Sequence, residues 1–348
     1  MITDTNSEKM YQEMKAKLAN VVPDIELKIK AEVAAEINRL KAERNAVILG
    51  HNYMEPALFT SIPDFVGDSL ELARKAAQTN RDIIVFCGVR FMAETAKILN
   101  PGKTVLLPSE KAGCSLAASI TAADVRELKK RFPGVPVVAY VNTYADVKAE
   151  SDICCTSGNA QAVVESLGTE TVIFIPDEYL AKNVAKETGK QIIFPTMDPR
   201  KKFGDDLDYQ MIGWLGRCEV HDKFTVEDIV NVRKQFPDVT ILAHPECSPE
   251  VVAASDFSGS TTAMIRHVEN TSSSHYLLLT ECAMGDNIAA ANPDKEMLRL
   301  CSVRCPHMNQ ITLEDTLESL RKNQYVIEIP EDILRRAARS VERMIAIG

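Results

Sequence analysis

Three cysteines of this 348-residue chain lie in short loops with similar surroundings. Cys114 is found in EKAGCSL, Cys218 in WLGRCEV and Cys305 in SVRCPHM, at separations of 104 and 87 residues. Taken singly, Cys218 could be a core residue, a nucleophile or half of a disulfide, and the repetition favours a metal ligand. Thiolates bind soft metals and are the usual ligands of iron–sulfur clusters. Three convergent cysteines would hold three irons of a 4Fe–4S cluster and leave the fourth iron open as a Lewis acid.

Six polar side chains follow three predicted strands at matching positions. The strands end in GHNY, AYVN and AHPE, so that a histidine or tyrosine is followed two residues later by another polar residue. The six residues are His51, Tyr53, Tyr140, Asn142, His244 and Glu246. Imidazole, phenol and carboxylate are the groups that general acid–base catalysis requires. A single histidine at a strand end is often structural, but six residues at matched positions indicate a site.

Three hydroxyl residues, Ser69, Ser157 and Thr261, also correspond in the repeat, at the points where helices are predicted to begin. Hydroxyls and free backbone N–H groups at helix starts can hold a carboxylate or a phosphate. Ordinary capping of the helices is the structural alternative for these three residues.

Short β-branched segments alternate with amphipathic helices along most of the chain. The predicted strands are AVILGH, DIIVFCG, TVLLP, VPVVAYVN, DICCT, TVIFIPD, QIIFP, VTILAHPE, SDFSG and HYLLLTE. Buried apolar strands alternating with helices are typical of parallel sheets that are covered on both faces. The ordered recurrence of three strands and one cysteine predicts three copies of one unit.

The predicted fold is therefore an α/β protein of three homologous parallel-sheet αβα units around a pseudo-threefold axis, with a central iron–sulfur site. Residues 1–40 form an N-terminal helical segment, which Pro23 is expected to divide into two helices. We expect the three units to span residues 41–120, 121–220 and 221–348.

Composition limits the classes of function. The chain is 45% hydrophobic, with a formal net charge of −9 and a pI of about 5.3. It has no long basic stripe, so we expect no nucleic-acid partner. No signal peptide pattern and no apolar run of roughly 20 residues are present, so we expect no membrane partner and a cytoplasmic location. Nine cysteines in a reducing compartment favour metal binding, catalysis or burial over disulfides.

The remaining cysteines are weaker candidates for a site. Cys87, Cys154 and Cys155 lie inside apolar strand segments and are expected to be core residues. Cys247 and Cys282 have no counterpart in all three units. Another cysteine, Cys301, competes with Cys305 for the third ligand position, because the two are four residues apart.

The motifs together closely resemble those of the quinolinate synthetase A family over roughly residues 40–345. The resemblance depends on HNY, GDSLELA, GVRFMAETAKIL, CSLA, YVNT, the TS of CCTSGNA, CEVH, HPE, GSTT and CPHMN. It implies three homologous α/β domains around a 4Fe–4S cluster held by three cysteines. It also implies condensation of iminoaspartate with dihydroxyacetone phosphate to form quinolinate, phosphate and water in NAD biosynthesis.

The resemblance assigns roles to the residues that match these motifs. The cluster ligands would be Cys114, Cys218 and Cys305. The catalytic residues would be His51, Tyr53, His244 and Glu246, with Glu246 as the base. The substrates would be bound by His51, Ser69, Tyr140, Asn142, Ser157, His244, Glu246 and Thr261. An L-aspartate oxidase or an aspartate dehydrogenase would supply iminoaspartate.

Two other classes of protein share part of the pattern. Hydro-lyases of the aconitase type also use an open iron, but the threefold repeat and the HPE motif speak against that class. An iron–sulfur or redox sensor has no need of six acid–base groups. Some relatives carry a CxxC pair near the last ligand, whereas here Cys301 and Cys305 are separated by three residues, so the sequence gives no support for a thiol switch of that kind.

Overall fold

Three sheets of parallel strands make up the framework of the molecule. The computed structural model describes residues 5–195, 209–298 and 303–348. The first sheet has the order β2-β1-β3-β4, with β1 (Ala46–His51), β2 (Phe65–Gly67), β3 (Ile83–Cys87) and β4 (Thr104–Leu106). The second has the order β6-β5-β7-β9-β8, with β5 (Val137–Tyr140), β6 (Ile153–Cys155), β7 (Val172–Ile175), β8 (Ile192–Ile193) and β9 (Met211–Gly213). The third has the order β11-β10-β12-β13, with β10 (Thr240–Ala243), β11 (Phe257–Ser258), β12 (His275–Leu279) and β13 (Glu296–Met297).

Helices connect these strands and cover the sheets. Those before the third sheet are α1 (Thr5–Leu18), α2 (Asp24–Glu43), α3 (Pro56–Ser61), α4 (Ser69–Gln78), α5 (Arg90–Leu99), α6 (Ala122–Arg131), α7 (Ala145–Glu150), α8 (Ala160–Ser166), α9 (Glu178–Glu187) and α10 (Val226–Gln235). The others are α11 (Pro249–Ala254), α12 (Thr261–Asn270), α13 (Cys282–Ala291), α14 (Leu313–Lys322) and α15 (Glu331–Ile345). The predicted α/β fold with three parallel-sheet units is confirmed, and so is the division of the N-terminal segment at Pro23.

All ten predicted strands are present, and the three that were missed are short. Strand β2 was missed because its three residues include the exposed Phe65 and Val66. Strands β9 and β13, of three and two residues, complete the second and third sheets. Such short strands carry too little hydrophobic pattern to be recognised alone.

The three units repeat in their hydrogen bonds as well as in their strand order. In each unit an aspartate before the second strand accepts a bond of 2.8 Å from an N–H of the first strand. The pairs are Asp64 with Ile48, Asp152 with Val137 and Asp256 with Ile241. A candidate site residue lies three residues after each of these N–H groups, at or directly after the end of the first strand. These residues are His51, Tyr140 and His244.

The C-terminal helices pack on the first two sheets. Helix α14 contacts α2 and β3, and α15 contacts α5, α7 and β6. Between them, residues 325–327 pair with residues 105–107 at the free edge of β4. The end of the chain thus covers a sheet edge of the first unit and packs against the second unit. The boundaries at residues 40, 120 and 220 stay a prediction.

No helix within the described ranges combines the length and the apolar character that a membrane crossing would need.

Candidate active site

A cavity lies where the carboxyl ends of the three sheets face each other. All twelve residues singled out from the sequence line it. They are His51, Tyr53, Ser69, Cys114, Tyr140, Asn142, Ser157, Cys218, His244, Glu246, Thr261 and Cys305. Ligands bind at the carboxyl ends of strands in parallel α/β sheets, and three units place three such ends around one space.

The three cysteines occupy the same local structure. Each is followed, three residues later, by the start of a short 3-10 helix, at Ala117, His221 and Met308. Seven residues after each cysteine a threonine caps the next long helix, with an aspartate three residues further on. These pairs are Thr121 with Asp124, Thr225 with Asp228 and Thr312 with Asp315. The agreement identifies Cys305 as the structural counterpart of Cys114 and Cys218, whereas Cys301 lies outside the described residues.

The local environment disfavours charged thiolates when no cation is present. Burial raises the pKa of Cys114 to about 12 and that of Cys305 to about 11, and it raises the pKa of Cys218 well above its usual range. Backbone N–H groups of the 3-10 helices, such as those of Ala117 and Met308, point at the sulfur atoms and oppose part of this rise. A metal bound here must displace the thiol protons, so its affinity depends on pH.

The loop of Cys218 lies directly against the end of β7. The N–H of Gly216 donates to the carbonyl of Pro176 at 3.0 Å, and the carbonyl of Gly216 accepts from the N–H of Glu178 at 2.7 Å. A Cβ at Gly216 would lie 2.5 Å from the Pro176 oxygen, so a residue with a side chain does not fit. Next to this loop, His307 Nε2 lies 3.2 Å from a carboxylate oxygen of Glu219, which joins the second and third cysteine loops.

Two strand-end histidines are held as neutral hydrogen-bond donors. Nδ1 of His51 accepts from the N–H of Tyr53 at 3.2 Å, and Nδ1 of His244 accepts from the N–H of Glu246, also at 3.2 Å. The proton must then be on Nε2 in each ring. Burial lowers the pKa of His51 to about 4 and that of His244 to about 3, so both are neutral at pH 7. Nε2 of His244 lies 3.3 Å from Ser157 Oγ.

The carboxylate of Glu246 is at the centre of a hydrogen-bond network. Its Oε1 accepts from Tyr140 Oη at 2.5 Å and from Asn142 Nδ2 at 3.1 Å. Its Oε2 lies 2.6 Å from Nδ1 of His221, whose ring stacks on His244 with 4.5 Å between the ring centroids. Burial alone would raise the pKa of Glu246, but the two histidines and these bonds lower it below its usual range. The carboxylate is therefore ionised, and its oxygen atoms are already occupied by donors.

The network continues from His221 to a second phenol. In the neutral ring of His221, Nδ1–H faces the carboxylate and Nε2 accepts from the hydroxyl of Thr280 at 2.9 Å. Thr280 Oγ1 lies 2.5 Å from Tyr53 Oη. Burial raises the pKa of Tyr53 and that of Tyr140 well above 10, so each phenol keeps its proton. A continuous chain of hydrogen bonds thus joins the two phenols.

The three hydroxyl residues occupy matched positions at the rim of the sheets. Ser69 and Ser157 each lie two residues beyond the last paired residue of the second strand, and Thr261 lies three residues beyond it. The side chains that cap α4 and α12 belong to Asp68 and Ser260 instead. Ser69 and Thr261 are therefore the first residues of their helices, and capping, the structural alternative for the hydroxyls, does not account for them.

Sequence reasoning missed two members of the site, His221 and Thr280. His221 is part of the CEVH motif and begins the 3-10 helix after Cys218, but the other units have Ala117 and Met308 there. Thr280 follows the end of β12. By the strand registers, the equivalent residues of the other units are Gly88 and Pro176. Neither residue repeats, so a search for repeated polar residues passes over both.

Part of the site also fits a metal ion. Ligand atoms of Cys218, His221 and Glu246 lie within 4.8 Å of one another. A single ion at this place would have to displace the hydrogen bonds of His221 and Glu246. Cys87, Cys154, Cys155 and Cys247 are fully buried in the core.

Comparisons with known proteins agree with this fold and site. The family model described as Quinolinate synthetase A protein matches residues 35–346. Quinolinate synthase 2 of Mesorhizobium japonicum is 52% identical over 331 residues, covering 95% of this chain and 96% of the relative. Quinolinate synthase of Xylella fastidiosa is 53% identical over 311 residues, covering 89% and 86%. Quinolinate synthase of Agrobacterium fabrum is 51% identical over 331 residues, covering 95% and 90%. The chain belongs to the quinolinate synthetase A family, as the motifs predicted.

The lowered pKa of His51 has a consequence for stability. Its folded-state pKa of about 4 lies below the usual value of 6.5, so the unfolded chain takes up the proton first as the pH falls. This histidine therefore makes the free energy of unfolding decrease as pH is lowered from 6.5 toward 4. We expect His51→Asn to show a smaller decrease in urea-denaturation midpoints over that range. Above pH 7, the midpoints of variant and wild type should change in parallel; an unchanged acid slope in the variant would contradict the assignment.

Proposed function

We propose that the protein is a quinolinate synthase, a transferase that condenses iminoaspartate with dihydroxyacetone phosphate to form quinolinate, phosphate and water in NAD biosynthesis. The observation that carries the proposal is the shared cavity. Three equivalent cysteines line the same space as a chain of acid–base groups. Membership of the family and the names of the relatives agree with it.

The cofactor of the proposal is a 4Fe–4S cluster bound by Cys114, Cys218 and Cys305. The three loops have the same local structure, and their sulfur atoms receive backbone N–H groups, as cluster ligands commonly do. When bound, such a cluster supplies an iron with an open position that can polarise substrate oxygens. The donor set of three equivalent thiols fits a cluster better than the mixed set of Cys218, His221 and Glu246 fits a single ion.

The substrates are anions, and the cavity offers neutral donors for them. None of the described residues that line it is a lysine or an arginine. Nε2–H of His51 and of His244 can donate to a carboxylate or a phosphate, as can the hydroxyls of Ser69, Ser157 and Thr261. Ser69 and Thr261 are each the first residue of a helix, where backbone N–H groups add to the attraction for an anion.

Proton transfer is assigned to the chain that begins at Tyr53. The protonated phenol of Tyr53 can give its proton to a substrate oxygen. Conversely, Nε2 of His221 can accept a proton through Thr280, while Glu246 stabilises the imidazolium that forms. A carboxylate that orients a histidine in this way contributes through the histidine. The geometry therefore favours His221, rather than Glu246, as the group that accepts the proton.

Iminoaspartate has to come from another enzyme. We propose an L-aspartate oxidase or an aspartate dehydrogenase as the supplier, because each forms an imine from aspartate. We also propose a cytoplasmic location. The eight cysteines of the described ranges are all free, as expected in a reducing compartment.

Product formation tests the proposed function. The protein purified without oxygen and loaded with iron and sulfide should convert the two substrates to quinolinate, detected by mass spectrometry, with release of one phosphate. Omission of either substrate is the control. Turnover of a hydroxy acid by dehydration, with no quinolinate formed, would instead indicate a hydro-lyase.

The cluster ligands are tested by single substitutions. Cys114→Ser, Cys218→Ser and Cys305→Ser should each lose the 4Fe–4S absorption in anaerobic preparations, because each removes one of three iron ligands. Cys301→Ser, outside the described residues, should retain the cluster. A mononuclear ion at Cys218, His221 and Glu246 would survive Cys114→Ser and Cys305→Ser, and that result would overturn the cluster proposal.

The proton relay is tested by variants that preserve shape. Tyr53→Phe, Thr280→Val and Glu246→Gln should keep the cluster but lose about 10²–10⁴ in turnover, the usual contribution of a positioned acid or base. Tyr276→Phe is the matched control, because it removes a buried phenol that bonds to Thr271 outside the cavity. Near-normal turnover in Tyr53→Phe and Thr280→Val would place the proton transfer elsewhere.

A further inference from the structure

Two buried asparagines make the same unusual contact in different units. Nδ2 of Asn287 donates to the carbonyls of Asn52 and Met54, at 3.1 and 2.9 Å. These are the two residues on either side of Tyr53. Elsewhere in the molecule, Nδ2 of Asn183 donates to two carbonyls on either side of Glu246. Those carbonyls belong to Pro245, at 2.9 Å, and Cys247, at 3.1 Å.

The two asparagines are equivalent and act across unit boundaries. Each lies six residues after the N-cap of the helix that follows the third strand of its unit, Asp177 for α9 and Glu281 for α13. Asn183 belongs to the second unit and holds a loop of the third, whereas Asn287 belongs to the third and holds a loop of the first. Their exposed fractions are only 4% and 6%, so solvent competes little for these bonds.

The remaining strand-end loop has a different donor. The equivalent residue of α5 is Thr95, whose hydroxyl bonds to Phe91 within its own helix. Instead, the fully buried Lys148 of α7 donates from Nζ to the carbonyls of Val141 and Thr143, on either side of Asn142. The first unit still takes part, because the ring of Phe91 lies 5.6 Å from Lys148 Nζ.

We propose that Asn183, Asn287 and Lys148 are positioning residues, which fix Glu246, Tyr53 and Asn142 respectively by holding the carbonyls on both sides of each. A single donor bound to the carbonyls of residues i − 1 and i + 1 limits rotation of the peptide groups around residue i. The side chain of residue i is then directed into the cavity. Displacements of about 1 Å can cost a catalytic group about 10²-fold in rate, so such a constraint affects turnover.

Local hydrogen exchange tests the positioning effect without relying on activity. In the cluster-loaded protein, Asn287→Leu should increase amide exchange in a peptide spanning residues 51–55, and Asn183→Leu in one spanning residues 244–248. Each variant should leave the other peptide unchanged. Asn100→Leu is the matched control, because Nδ2 of Asn100 also binds two carbonyls, those of Ala76 and Ala96, away from the cavity. If the leucine variants do not fold, Asn287→Ser and Asn183→Ser replace them.

Kinetics tests the consequence, and this part rests on the proposed function. Asn287→Leu should lower quinolinate turnover about 10- to 100-fold. In a Tyr53→Phe background it should have little further effect, since the group that it positions is already gone. Asn183→Leu should be non-additive with Glu246→Gln and additive with Tyr53→Phe. Asn100→Leu should keep normal turnover.

The outcomes separate the two proposals. An increase in amide exchange confined to the expected peptide supports the positioning role, even if the wild-type protein forms no quinolinate. The absence of quinolinate would overturn only the proposed function. Exchange that rises equally in both peptides, or in neither, overturns the positioning role. So does full additivity of Asn287→Leu with Tyr53→Phe in an active enzyme.

Discussion

The buried charge of Glu246 is the constraint on which the site depends. Glu246 is only 3% exposed, and burying an ionised carboxylate is costly unless hydrogen-bond donors surround it. The surrounding groups are Tyr140, Asn142 and His221, which come from two units of the repeat. Satisfying one carboxylate therefore requires the second and third units to meet in one arrangement. Stability and the arrangement of the candidate site thus depend on the same hydrogen bonds.

The cysteines impose a complementary requirement. Three thiols with raised pKa values line a cavity that also contains an ionised carboxylate, and no lysine or arginine is among its described lining residues. Deprotonating the thiols would add negative charge to a region that already disfavours it. The metal cluster that we propose would resolve this conflict, because a bound metal replaces the protons. Burial likewise keeps His51 and His244 neutral, since a buried imidazolium would be costly.

Much of this organisation was predictable from the sequence because repetition is visible in it. The matched strand ends identified Tyr53, Asn142 and Glu246, and the structure brings all of them into one cavity. What repetition could not reveal was Thr280, whose counterparts are a glycine and a proline. Nor could it reveal the tautomer of His221, which depends on a carboxylate 25 residues away in sequence. Strand β2 was missed because edge strands need few buried residues.

The repeat separates positions that build the scaffold from positions that perform chemistry. Where the three units need the same geometry they use the same residue, as with Asp64, Asp152 and Asp256. The three cysteines that we propose as ligands also remain identical, as three equivalent protein-bound irons would require. Acid–base chemistry instead requires different groups facing one substrate. A phenol, an amide and a carboxylate accordingly occupy one repeated position, and the symmetric backbone places them around a single space. Function at this site therefore arises where the side chains depart from the symmetry that the backbone keeps.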